Sequence, residues 1–96
     1  MHASVRQYRT RDIDALVGKV EEGFVDQVKA IDGFVGYYVI DGGDGTAATV
    51  TVGEDAAAVA DTVRLAADWV RENAADLVEG EPEVTLGEVR VRAERE

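Results

Sequence analysis

The 96-residue chain contains no cysteine and a single histidine, His2. Without cysteine there is no disulfide scaffold, zinc–thiolate site or cysteine nucleophile. One imidazole, second in the chain, argues against a multi-histidine metal site and a histidine-centred triad deep in a fold. No apolar run approaches the ~18 residues of a membrane span. Met1–Asp14 is polar and carries no secretory core. With 46% apolar and 31% charged residues, the composition is globular. These features lead us to expect one cytoplasmic domain at 1–92, followed by a charged tail at 93–96.

The charge is one-sided. Twenty acidic residues face ten basic ones, for a formal net charge of -10. Such a chain repels nucleic acid and anionic lipid, so neither is an expected partner. Only Lys19 and Lys29 are lysines; the remaining basic residues are arginines. An acid-rich, lysine-poor, Ala/Val-rich chain fits a high-salt cytoplasm, where carboxylates hold hydration and salt screens self-repulsion. It fits an ordinary acidic protein of a GC-rich genome as well.

Six elements are legible. Ala3–Arg9 reads as a strand, with Ala3, Val5 and Gln7 on one face and Ser4, Arg6 and Tyr8 on the other. Thr10 or Asp12 can cap a helix whose stripe is Ile13, Leu16, Val17, Val20, Phe24, Val28 and Ile31. Gly33 suits the left-handed position beyond its end. Phe34–Asp41 is a β-branched and aromatic strand, Gly42–Gly45 a hairpin turn, and Thr46–Val52 the returning strand. Asp55 caps a second helix with stripe Val59, Val63, Ala66, Val70 and Leu77. Glu79–Pro82 reads as a stop, and Glu83–Arg92 as the last strand. The order βαββαβ, with an antiparallel central hairpin, predicts an α+β, ferredoxin-like fold: a four-stranded antiparallel sheet with two helices on one face.

The sheet then has a second face, which should be polar in a monomer. Phe34, Tyr38 and Ile40 share one face of their strand, and Val35, Tyr37 and Val39 share the other. Val84 and Leu86 are out of phase with Val89 and Val91, with Gly87 between them as a site for a bulge. Apolar area is left uncovered, which predicts a homodimer through the open sheet face.

Four segments resemble the dimeric α/β-barrel superfamily, in the group named after antibiotic biosynthesis monooxygenases. They are the strand Ala3–Tyr8, the run Ile31–Tyr38, the Gly42–Gly45 hairpin and Gly53-Glu54-Asp55. The resemblance implies a homodimer whose sheets form a barrel, with a ligand cavity in each protomer between sheet and helices. Some members oxidise polycyclic phenols without metal or flavin, and others degrade haem. The chain departs from the pattern in three places. Val52-Gly53 stands where members often carry an aromatic residue, the second helix has no histidine to ligate haem iron, and Gln7 at best replaces a first-strand asparagine. Haem degradation is therefore not expected, and no cofactor or metal is assigned.

Candidate cavity residues are His2, Arg6, Gln7, Tyr37, Tyr38, Trp69 and Asn73. His2 has the titration range of a general base, but its place also suits an incidental strand end. Tyr8, Tyr37, Tyr38 and Trp69 suit a cavity for a planar ligand, or plain packing. Tyr37 and Tyr38 point to opposite faces, so at most one of them reaches a given cavity. Arg6 can stabilise a phenolate or enolate, or form a surface ion pair of little worth. Gly42–Gly45 lacks the Lys-Ser/Thr of a phosphate loop. Asp41 and Asp44 lack the remaining ligands of a calcium loop, and Glu79, Glu81 and Glu83 read as a solvated loop. Two functions stay open. One is a cofactor-independent monooxygenase-like protein acting on a small aromatic or enolic ligand. The other is a non-catalytic ligand-binding or structural, stress-related dimer.

Overall fold

A computed structural model describes residues 1–95. Of the tail expected at 93–96, Glu96 lies outside the described residues. The strands are β1 (His2–Thr10), β2 (Phe34–Asp41), β3 (Thr46–Gly53) and β4 (Val78–Glu88). They form one antiparallel sheet in the order β2-β3-β1-β4. The first helix runs as α1 (Ile13–Lys19), a π-helical segment (Val20–Phe24) and α2 (Val25–Lys29); the second is α3 (Ala56–Asn73). This is the ferredoxin-like fold expected from the order of elements.

Local chemistry sets the helix boundaries. The Asp12 and Asp55 carboxylates accept from the backbone N–H of Ala15 and Ala58, at 3.0 and 2.9 Å. Each occupies an N-cap and satisfies a donor that the first turn leaves free. After α2, Gly33 takes φ +84 and its carbonyl accepts from Glu54 N at 2.8 Å, tying the loop to the end of β3.

The π segment has a geometric cause. Leu16, Val20, Phe24 and Val28 are all buried and follow one another at steps of four. In an ideal α-helix each such step drifts by ~40°. A wider turn across Val20–Phe24 cancels part of that drift and keeps the stripe on the sheet.

Two corrections concern β2 and β4. Phe34 pairs with Gly53 and Gly36 with Val52, so Val35 is an extra residue with no partner on β3. This bulge moves Phe34 onto the helix side with Tyr37 and Val39, leaving Val35, Tyr38 and Ile40 on the open face. In β4 the irregularity lies at 80–82, opposite Tyr8, and not at Gly87, which pairs regularly with Ala3. The strand therefore begins at Val78 and includes the supposed stop. It tolerates Pro82 because it is a sheet edge.

The inward face of β1 is the polar one. Ser4, Arg6, Tyr8 and Thr10 are buried under the helices, whereas Gln7 and Arg9 are exposed on the open face. Trp69, expected on a flank of the second helix, belongs to the core with Leu16, Val20, Phe24 and Val28. Leu77, expected on the stripe of that helix, lies beyond its end.

Candidate functional site

Between the sheet and the helices lies a small apolar cavity. Tyr8 comes from β1, Tyr37 from β2, Phe24 from the π segment and Trp69 from α3. The Phe24 ring joins the others, tilted at 5.2 Å from Tyr37 and at 5.5 Å from Trp69 between centroids. Such pairs add ~0.5–1.5 kcal/mol each beyond area burial. The cavity measures about 30 Å³, room for a water or two and far below the ~300 Å³ of a typical ligand pocket.

Trp69 separates this cavity from an outer pocket formed with Lys19, Glu22, Gly23 and Asn73. A β-carbon at Gly23 would lie 3.3 Å from the indole nitrogen, so the glycine makes room for the ring. Asn73 ends α3, is exposed, and donates to the Trp69 carbonyl at 3.0 Å.

Arg6 is the unusual residue. It is only 6% exposed. Its Nε–H donates to the Tyr8 hydroxyl oxygen at 2.7 Å, and its guanidinium stands 5.5 Å from the centre of that ring. A longer bond of 3.5 Å runs from a terminal nitrogen to the Val63 carbonyl. No carboxylate lies within ion-pairing distance of Arg6 among the described residues. The surface ion pair weighed for it in the sequence is not formed. Arg6 and Tyr8 floor a second, open cleft of about 570 Å³ between α3 and the start of β4. Its outer wall includes Gly80, Glu81 and Pro82, the residues opposite Tyr8 in β4.

Burial pushes the Tyr37 phenol well above the ordinary tyrosine range. The neighbouring Tyr8 adds to the rise, and the Arg6 guanidinium opposes it. Tyr37 is therefore a neutral donor at physiological pH, not a base.

The structure brings Arg6, Tyr37 and Trp69 together around the cavity and cleft. It separates the others. Gln7 and Tyr38 sit on the open sheet face, because strand alternation and the Val35 bulge turn them outward. His2 starts β1, paired with Gly53 and Glu88, and lines neither space. Its Nδ1 is buried and has no hydrogen-bond partner among the described residues. Tyr8, grouped in the sequence with the other polar aromatics but outside the candidate set, lines both spaces. Its signal was the two-residue spacing from Arg6, which puts both on one face. Among the described residues, no group of three His, Cys, Asp or Glu could hold a metal ion, and no helix is long and apolar enough to cross a membrane.

No protein-family model and no curated protein matches this chain. Solved structures do. The monooxygenase from the gene ActVA-Orf6 of Streptomyces coelicolor, solved with nanaomycin D, is 16% identical. The alignment covers 99% of this chain and 92% of that one, with a TM-score of 0.78. SnoaB of Streptomyces nogalater, a cofactor-independent oxygenase, is 16% identical over 95% of this chain and 94% of its own, with a TM-score of 0.72. A dimeric ferredoxin-like protein from an uncultured marine organism is 7% identical, covering 99% and 100% of the two chains at a TM-score of 0.73. At these identities the likeness shows the fold, the one that the resemblance in the sequence implied.

Proposed function

We propose that the protein is a homodimeric α/β barrel, joined through its open sheet faces, that oxidises a small aromatic or enolic ligand with dioxygen and without a cofactor. The observation that carries this reading is the convergence of Tyr8, Phe24, Tyr37 and Trp69 on one apolar cavity between sheet and helices. The two similar Streptomyces structures described as a monooxygenase and a cofactor-independent oxygenase support it at the level of fold. The dimer is supported by Val35, Tyr38 and Ile40, each about half exposed on the open sheet face even with Val89, Arg92 and Glu94 of the C-terminal segment beside Val35 and Tyr38.

The chemistry belongs to the ligand. An acidic phenol or enol loses its proton, and the resulting carbon nucleophile bonds to one oxygen of O₂. The O–O bond then breaks as the second proton leaves that carbon. One oxygen remains as a carbonyl and the other departs as water, so carbon gives four electrons to dioxygen. The protein supplies a dry, aromatic site and a protonated Tyr37 to hold the developing oxyanion. No histidine or carboxylate lines the inner cavity among the described residues. The ligand must therefore be acidic enough to ionise without a protein base. At about 30 Å³ the cavity has to enlarge to admit it.

Oxygen uptake with anthrone and naphthoquinol substrates tests this. We expect rates above buffer that fall at least tenfold in Tyr37→Phe. Rates equal to buffer across the panel would overturn it in favour of a second reading, a non-catalytic dimer. The small cavity and the missing base favour that alternative.

A further inference from the structure

We infer that the cleft between α3 and β4 is a receptor for a planar organic carboxylate, with Arg6 as the group that binds the anion. A buried guanidinium without a counter-ion is costly, because several kcal/mol of desolvation go unrepaid. Arg6 is 6% exposed and uses one short hydrogen bond, to Tyr8. Five N–H donors sit on a guanidinium; besides the bonds to Tyr8 and to the Val63 carbonyl, donors remain for an anion in the cleft that Arg6 floors. An anion from outside completes the arrangement.

The geometry narrows the class. The cleft, about 570 Å³, is of ligand size, unlike the inner cavity. Ala67, Val70 and Pro82 give its mixed lining apolar stretches, and the Tyr8 ring lies beside the guanidinium. A flat hydrocarbon ring fits between such walls, and a carboxylate matches the planar fork with two parallel bonds. Arg71 lines the cleft as well, paired with Asp68 at 2.5 Å. Glu81 lines the cleft and opposes a dianion, so one negative charge is favoured over the two of a phosphate monoester. The chain's net charge of -10 does not decide the matter. Charges farther than ~8 Å are screened at physiological ionic strength, whereas the buried Arg6 acts at contact.

The test uses 2-naphthoate, with 2-naphthamide as its neutral isostere and 2-naphthyl phosphate as the dianion. Calorimetry measures binding, and the fluorescence of Trp69, the sole tryptophan, reports it separately. We expect naphthoate to bind at least tenfold more tightly than either analogue. Arg6→Gln should abolish that preference, and Arg6→Lys should retain part of it. Ala67→Trp, at an exposed position, should block the cleft while leaving Arg6 intact. Equal affinity for naphthoate and naphthamide overturns the proposal, as does tighter binding of the phosphate, no binding at millimolar concentration, or unchanged binding in folded Arg6→Gln. Naphthoate is not oxidised in the scheme above, so its binding is independent of the oxygenase reading.

Discussion

Trp69 lies directly over Gly23, with its indole nitrogen 3.3 Å from where a β-carbon of that residue would be. The indole is 6% exposed and packs on Phe24, so it has little room to retreat. Gly23→Ala should gain ~1 kcal/mol of helix propensity and lose it to this contact. We expect no stabilisation, and a shift in the Trp69 emission maximum. A higher melting temperature with an unchanged spectrum would show that the ring yields freely.

Arg6 and Tyr8 are expected to cost stability. Replacing both by apolar residues of similar size removes a buried charge together with the hydroxyl to which it donates. The double variant Arg6→Met, Tyr8→Phe should melt no lower than the wild type. A gain of ~1 kcal/mol would read as roughly 4–8 °C for a domain of this size. A fall of that size in thermal unfolding would make the pair structural.

Tyr37 predicts an alkaline weakness. The unfolded phenol ionises near pH ~10, and burial holds the folded one higher. The folded state therefore keeps a proton that the unfolded state has lost. The contribution is complete below pH ~10 and disappears as pH rises through the folded value. Urea midpoints between pH 8 and 11 should fall more steeply in the wild type than in Tyr37→Phe. The difference should reach at most about 1.4 kcal/mol per pH unit. Parallel profiles would contradict it.

Ile40 and Tyr38 test the assembly. Ile40→Asp places a charge on the open sheet face, where the native side chain is 51% exposed. Light scattering should give twice the chain mass for the wild type and the chain mass for the variant. A monomeric wild type, or a variant that remains dimeric, would remove the interface from this face.

The sequence shows the fold where the rules are local. Asp12 and Asp55 are visible as caps because capping involves a side chain and a backbone group three residues away. Gly43 and Gly45 mark the hairpin because each needs positive φ. The faces are harder. Nothing near Val35 announces that it goes unpaired, since a bulge is settled by the neighbouring strand. Phe34 and Tyr38 therefore look like companions and are not. The inward turn of Arg6 and Tyr8 is hidden for a similar reason. Ala3 and Val5 are the apolar phase of β1, yet the helices cover the other phase. Trp69 was legible as an aromatic on a helix but not as core, because the stripe of α3 is wide enough to admit two phases.

The extra residue in β2 also has a bearing on how this chain can change. Everything from Tyr37 onward takes its orientation from pairing with β3, and the loop from Ala30 to Gly33 takes its own from the helix end. Val35 absorbs the mismatch in length between them. A strand without such slack would turn inside out with any one-residue insertion or deletion upstream. Here the loop can lengthen or shorten by a residue at the bulge while Tyr37 stays inside and Tyr38 outside. The bulge thus gives the segment leading into β2 freedom to drift in length that the hairpin following it lacks.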